Sequence, residues 1–384
     1  MDIMAVKEML AKGEDSVTQF KENIFNTEQL AQEIIAFANS AGGTIVIGVK
    51  DSGEIEGLTD EDIRRLNQLI SNTASEHVKP PILPKTEIIF VDQKKILLIF
   101  VPFGPNKPYG TGKGIYYTKF GSDKRKISQD ELRRLFQESG KLYADEMVFK
   151  KARFDDIDME LFKEFHLKKY DLPFDGDVEQ LPQAFENLNL ASAGYLNLAG
   201  LLLFCKNPMK YTPLSQVIAV SFLGNDFSSS EYRDSENIDG NIQTLYTRGM
   251  AFLKRNLKKI QMGQSFNSRG FLEIPAIVLE ELLVNAMIHR DYFISNNIQI
   301  FIFDDRIEII NPGKLPNNLT VEKIKRGVSV KRNHTLASFA FDLIPYRGIG
   351  SGIVRILHQY PHVDFINDTD LEQFKAIIKR PVTP

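Results

Sequence analysis

Glu280-Glu281-Leu282-Leu283-Val284-Asn285-Ala286-Met287-Ile288-His289-Arg290-Asp291 is the stretch on which the reading of this chain turns. A helix rotates about 100° per residue, so Glu281, Asn285 and His289 project along one face within about 80° of one another. Ile277, Val278, Leu279, Leu282, Leu283, Val284, Met287 and Ile288 make nearly every other direction apolar. A helix apolar on almost all sides is buried, and a buried carboxylate without a partner is expensive. The polar stripe therefore calls for a partner opposite it. A nucleotide with a hydrated metal ion suits an acid and an amide standing side by side.

The 384 residues suffice for two to three domains with sizeable cores. Apolar content of 43% with 25% charged residues matches an ordinary globular protein rather than a disordered or membrane chain. Lys plus Arg number 47 against 50 Asp plus Glu, a net charge of −3, so affinity for nucleic acid has to come from local patches. The single cysteine, Cys205, follows Leu201-Leu202-Leu203-Phe204 and points to packing in a reducing compartment. No signal-type apolar run opens the chain and no apolar segment reaches the roughly 18 residues of a membrane span. A cytoplasmic protein without a membrane partner is expected.

Three blocks are expected, with an α/β (α+β) fold class: a mixed-sheet domain over 1–140, a helical and mixed middle region over 141–270, and an α/β sandwich over 271–384. Leu30, Ile34, Ile35, Phe37 and Ala38 give helical spacing over 28–41. Gly42-Gly43 stops that helix, and Thr44-Ile45-Val46-Ile47-Gly48-Val49 reads as a buried strand. Helical period returns over 60–75, strands follow around 88–90 and 96–100, and Ser128-Gln129-Asp130-Glu131 is a capping box. The middle block opens with an acidic, helical-looking linker. Residues 196–204 then suit a buried helix, 216–222 a strand, the polar 226–240 a loop and 241–260 a helix. In the last block 298–303, 306–310 and 373–379 read as strands, 313–345 as a mobile cover and 353–358 as an amphipathic helix.

Two further pieces of the last block suit the polar stripe. The glycines of Gly348-Ile349-Gly350-Ser351-Gly352 permit a tight turn whose backbone N–H groups face an anion at a helix N-terminus. Asn311-Pro312-Gly313 ends a strand before it. Read from the residues alone, Glu281 and Asn285 equally suit buried backbone groups, the glycines a plain helix cap, and His289, Arg290 and Asp291 a hydrogen-bonded cluster locking the helix end.

In this order the pieces resemble the GHKL, or Bergerat-fold, ATPases, in the reduced form found beside Schlafen-type N-terminal domains, over roughly 271–380. The helix from Glu281 to Asn285 is similar to the N box, Asn311-Pro312-Gly313 to the first glycine box and the run from Gly348 to Gly352 to the second. The resemblance implies ATP and Mg²⁺ as cofactors. Glu281 would be the catalytic residue that orients or deprotonates the attacking water, and Asn285 the Mg²⁺ ligand, a hard oxygen donor of the kind Mg²⁺ prefers. Asn311, Gly313, Gly348, Gly350, Ser351 and Gly352 would hold the nucleotide, with Lys331 and Arg332 reaching phosphate from the cover. The first glycine box usually carries an aspartate that accepts the adenine amino proton. Asn311 still accepts that bond, without charge assistance.

Near the N-terminus the chain resembles the Schlafen AlbA-like domain, also labelled divergent AAA, over about residues 10–140. The likeness is carried by Glu14-Asp15-Ser16-Val17-Thr18-Gln19-Phe20-Lys21, by the run from Ile35 to Val49, and by Tyr116-Tyr117-Thr118-Lys119-Phe120-Gly121-Ser122. RNA-cleaving Schlafen proteins place metal-binding acids at positions matching Glu14, Gln19 and Asp51. With Gln19 in the middle, an intact nuclease is not expected. Nucleic-acid binding without cleavage is expected through Tyr116, Lys119, Lys124, Arg125 and Lys126, which combine phosphate contacts with base stacking. Related chains often add a winged helix, and none is expected after 373–379.

These readings give a nucleic-acid-associated regulator, of DNA-binding transcriptional type, with an ATP/Mg²⁺ switch. The alternatives are an ATPase or Schlafen-like RNA nuclease in RNA metabolism or defence, and a non-catalytic scaffold. The expected partners are nucleic acid, with DNA and RNA on an equal footing, and a nucleotide; a homo-oligomer stays open.

Overall fold

The computed structural model describes residues 3–227, 231–260, 270–316, 319–346, 348 and 350–381. Ile349 of the glycine turn, 317–318 of the expected cover and 228–230 of the expected loop lie outside the described residues. The chain forms two compact units, Met1–Leu142 and Tyr143–Pro384. No helix among the described residues is long and apolar enough to cross a membrane.

The first unit runs α1 (Ile3–Lys12), β1 (Thr18–Lys21), α2 (Thr27–Asn39), β2 (Gly43–Ile47), α3 (Asp60–Asn72), β3 (Lys85–Val91), β4 (Lys94–Val101), the hairpin β5 (Tyr117–Phe120) and β6 (Asp123–Lys126), and α4 (Gln129–Glu138). Its sheet has the order β1-β2-β4-β3, with β1 parallel to β2 and the other pairs antiparallel. The Asn26 side chain caps α2, whose apolar residues are buried from Leu30 to Ala38. At the α2–β2 junction Gly42 takes a φ of +80°, and a Cβ on Gly43 would overlap the Phe37 ring. Asn39 locks that junction. Its Nδ2 donates to the Tyr109 and Tyr117 carbonyls at 2.8 and 2.9 Å, and its Oδ1 accepts from the Tyr109 N–H at 2.7 Å.

The second unit runs α5 (Met159–Tyr170), α6 (Leu181–Asn187), α7 (Leu198–Phe204), β7 (Val217–Phe222), β8 (Tyr232–Ile238), α8 (Ile242–Asn256), α9 (Ala276–His289), β9 (Ile298–Ile302), β10 (Arg306–Pro312), α10 (Val321–Lys325), α11 (His334–Leu343), α12 (Gly352–Gln359), β11 (Val363–Asp368) and β12 (Gln373–Lys379). One sheet of order β8-β7-β9-β10-β12-β11 spans it. β7 and β9 pair in parallel, Val217 opposite Ile298, so the boundary placed at residue 270 cuts through a single sheet. The reason is shared burial: Val217 and Ala219 enter the same core as Ile298 and Ile300.

Three local expectations change. The acidic segment after residue 141 is no linker, because α5 carries Phe162 and Phe165 into that core, with the Phe162 and Phe204 rings 5.2 Å apart. The polar stretch 226–240 contains β8, an edge strand whose Asp234 and Glu236 pair with Arg255 of α8. The cover expected over 313–345 shrinks, because α11 buries Leu336, Phe339 and Ala340 at helical spacing.

Candidate functional site

In the second unit α9 packs against β10 and α12. Successive turns of α9 present Glu281, Asn285 and His289 to one cavity, whose wall also holds Asn311 and Gly313 from the end of β10 and Gly348, Gly350, Ser351 and Gly352 from the turn before α12. Leu319, Ile324 and Val328 lie against it from the cover. The stripe and the two glycine segments, far apart in the chain, meet at one place.

The partner opposite Glu281 is Arg355. The Arg355 Nη2 lies 2.5 Å from Glu281 Oε1, so the acid stripe is closed by a cation on α12 that the sequence reading missed. The signal was present in principle, since Arg355 sits one turn into the helix that follows the glycines. Glycine at 352 leaves room for the Glu281 carboxylate, because a Cβ there would stand 2.6 Å from Glu281 Oε2 and 3.4 Å from Asn285 Nδ2. Gly350 likewise lets the turn approach the cover, a Cβ there falling 2.8 Å from the Gly327 carbonyl oxygen.

Two buried amide atoms in the cavity wall have no hydrogen-bond partner among the described residues: Asn285 Nδ2 and Asn311 Oδ1. Buried polar groups are normally paired, so each marks a place where a ligand atom would fit. A half-turn exchanges the two ends of an amide, so Asn285 is able to offer either oxygen to a cation or N–H to a phosphate. Among the described residues no group of three or more His, Cys, Asp and Glu is placed to hold a metal ion. A Mg²⁺ at Asn285 would therefore draw its other ligands from nucleotide oxygens and water, an arrangement Mg²⁺ accepts.

The cover's two basic residues part company. Lys331 is exposed and outside the cavity wall. Arg332 lines the cavity, but its guanidinium is committed to the His289 carbonyl at 3.1 Å and the Lys314 carbonyl at 2.7 Å. It clamps the cover to the end of α9 rather than presenting a free phosphate ligand. Gly313, at φ +107°, makes room for that clamp, since a Cβ would lie 2.5 Å from Arg332 Nη1. The His289-Arg290-Asp291 end of α9 is a hydrogen-bonded cluster. Asn333 Nδ2 donates to the Ile288 and Arg290 carbonyls, and Arg290 donates to the Asn296 carbonyl. Burial pushes the His289 ring down to about 4, with the charges of Arg332 and Lys331 adding to the effect, so the ring is neutral near pH 7.

In the first unit Glu14, Gln19 and Asp51 do come together, around lysines. Lys21 Nζ stands 3.9 Å from Glu14 and 4.0 Å from Asp51. Gln19 donates to Glu14 and accepts from Lys119 Nζ at 2.6 Å. Ammonium groups thus neutralise these carboxylates. The expected nucleic-acid contacts are also largely committed. Lys119 is buried, Lys124 pairs with Glu33 at 2.8 Å, and Arg125 meets both carboxylate oxygens of Glu131. Tyr116 packs edge-on against Phe136. Lys126 is exposed, as is the Phe120 ring, over which the Arg125 guanidinium stands at 5.6 Å.

Two family models match the chain: "Schlafen, AlbA_2" over residues 14–128 and "Putative ATP-dependent DNA helicase recG C-terminal" over 295–375. The second segment holds Asn311 and the glycine turn, whereas Glu281 and Asn285 precede it. Among solved structures, the DIP2311 protein from Corynebacterium diphtheriae is 19% identical with a TM-score of 0.49, covering 99% of this chain and 81% of that one. The N-terminal domain of a "Putative ATP-dependent DNA Helicase RecG-related Protein" from Nitrosomonas europaea is 23% identical with a TM-score of 0.25, covering 34% of this chain and 95% of that one. No curated protein matches the chain. The chain carries a Schlafen AlbA_2 domain in its first unit and, in its second, an ATPase-like domain of the RecG C-terminal type.

Proposed function

We propose that the second unit binds an adenine nucleotide with Mg²⁺ in the cavity between α9, β10 and α12, and that the protein is a cytoplasmic, nucleic-acid-associated regulator switched by that nucleotide. The observation that carries the reading is the pair of buried amide atoms, Asn285 Nδ2 and Asn311 Oδ1, that lack a hydrogen-bond partner among the described residues in the wall of one cavity. The arrangement is of the GHKL type in the order of its parts. ATP–Mg²⁺, when bound, would supply the phosphoanhydride bond and a concentration of phosphate charge. Asn311 accepts the amino proton of the base, Asn285 holds the cation, and the glycine turn brings backbone N–H groups to the phosphates at the start of α12. Glu281 would orient a water in the cavity that it lines. The cover between Gly313 and Arg332 is the element whose position the nucleotide sets, and that change reaches partners.

Calorimetry on the full chain with ATP and Mg²⁺ tests the reading. Heat of binding in the wild type and its loss in Asn285→Ala are expected. A folded wild type that gives no heat with ATP would remove it. Nucleic-acid association is tested by gel shifts with DNA and RNA across a salt series, where steep weakening with salt is expected and a flat response would argue against it.

A further inference from the structure

The ion pair between Glu281 and Arg355 has consequences for how the cavity distinguishes its ligands. Arg355 belongs to the first turns of α12, its backbone N–H bonded to the Ser351 carbonyl at 2.9 Å, directly after the glycine turn. Its side chain lines the cavity and is one-quarter exposed. Its Nη2 holds Glu281 Oε1 at 2.5 Å, while its Nε is buried without a hydrogen-bond partner among the described residues. The Nε–H is therefore a donor of this guanidinium with no acceptor among the described residues.

Among the described residues, the other basic groups near the cavity are less suited to recognising an anion at this place. Arg332 is bonded to two carbonyls, and Lys331 lies outside the wall. Burial holds the His289 ring neutral. Lys314 lines the cavity beside Gly313, at the end of β10 rather than on α12. Glu281 has its own constraint. An oxygen that accepts from a guanidinium has that lone pair occupied and cannot take a proton from water along the same direction.

We infer that Arg355 is a positioning residue that reads the terminal phosphate: without nucleotide it restrains Glu281, and a triphosphate draws the guanidinium away and releases the carboxylate toward water. This rests on the nucleotide reading given above. Phosphate oxygens offer a guanidinium the bidentate geometry that one carboxylate oxygen does not. The exchange moves a charge-assisted bond from Glu281 to the ligand, so it favours a triphosphate over a diphosphate. No bond in the nucleotide is broken in this step; only hydrogen-bond partners change.

The experiment is calorimetry of the full-length protein with ADP and with a non-hydrolysable ATP analogue, each with Mg²⁺. Arg355→Ala is expected to weaken the triphosphate analogue about tenfold or more, with ADP affinity changed by less than about twofold. Arg355→Lys should restore part of the loss, because it keeps the charge without the fork. Glu281→Gln, which deprives Arg355 of its anion, should tighten the triphosphate analogue and leave ADP unchanged. Equal weakening of both nucleotides in Arg355→Ala, or no tightening in Glu281→Gln, would overturn the exchange while leaving nucleotide binding intact. If the wild type binds neither nucleotide, the nucleotide reading falls as well. Should Arg355→Ala fail to fold, the ratio of the two affinities in Arg355→Lys decides, and an unchanged ratio would overturn the proposal.

Discussion

Glu281 Oε2 lies 2.6 Å from the point that a Cβ on Gly352 would occupy, so the carboxylate of α9 rests over the bare backbone at the start of α12. The contact joins the two helices that the nucleotide reading needs to act together. It also separates the role of this glycine from that of a simple cap.

Gly352→Ala is expected to leave the fold standing and to impair ligand binding. The added methyl meets the far end of a flexible side chain, and Ala in a helix is favoured over Gly by roughly 1 kcal/mol. Glu281 must move to make room, and Arg355 with it. Thermal melting close to wild type together with weakened ATP binding by calorimetry is the expected pair of results. A large drop in melting temperature would instead mark the glycine as a packing residue.

Gly313→Ala should behave in the opposite way. Here the backbone sits at φ +107°, and the new Cβ would fall 2.6 Å from the Asp291 Cβ as well as against Arg332. Left-handed strain plus a rigid collision costs on the order of 2–3 kcal/mol. Urea unfolding should show this as a lower midpoint, and an unchanged midpoint would mean that the α9 end is less tightly packed than the distances imply.

Asp145 makes stability depend on pH in mildly acid solution. Its carboxylate, fully buried, accepts from the Leu336 N–H at 2.9 Å and so caps α11. Burial raises it from an ordinary 3.8 to about 6, with the Leu336 bond opposing that shift. A raised value means that the folded state holds the proton more tightly. The stabilisation is fully present below about 3.8 and is lost as pH climbs through about 6, an effect on the order of 3 kcal/mol. Asp145→Asn should flatten the stability of the protein across that window in melts taken from pH 4 to 7.

His289 contributes with the other sign. Its value, lowered from 6.5 to about 4, means that the folded state prefers the neutral ring. Its contribution is present above about 6.5 and disappears as pH falls through about 4. Replacing it with Gln should remove an acid-side loss of stability that remains in Asp145→Asn. A double variant whose melts still fall toward pH 4 would assign that loss to other groups.

For nucleic acid, Lys126 is the residue of the basic run expected to matter, because it is exposed whereas Lys124 and Arg125 are paired with Glu33 and Glu131. Lys126→Ala should lower the slope of log affinity against log salt by about 1. Lys124→Ala should leave that slope unchanged. Filter binding of both variants at four salt concentrations checks the pair.

Periodicity made the principal helices and central strands legible: α2, α3, α8, α9 and β12 stand where apolar spacing places them. It failed at β8, whose polar sequence is that of an edge strand paired on one side only. It failed again at α11, where Leu336, Phe339, Ala340 and Leu343 do repeat at helical spacing but the flanking sequence reads as loop. The residues of the α9 stripe, Asn311 and the glycine turn line one cavity, and each was visible in the sequence as a local motif. Lys331 stands outside the cavity wall and Arg332 is held by two carbonyls, because charge alone does not say which carbonyls a guanidinium will find.

The sequence by itself determined that Glu281, Asn285 and His289 share a helix face, that the face needs a polar partner, and that glycine-rich turns follow it; helical rotation and the cost of burying charge require no more. Tertiary structure decided who the partner is. Arg355 reaches Glu281 only because α12 folds back onto α9, and Asn285 Nδ2 and Asn311 Oδ1, without partners among the described residues, line one cavity because β10 ends beside that helix. Such pairings depend on distances of a few ångströms between segments remote in the chain. They are settled by the packing of the shared core, which no local pattern encodes.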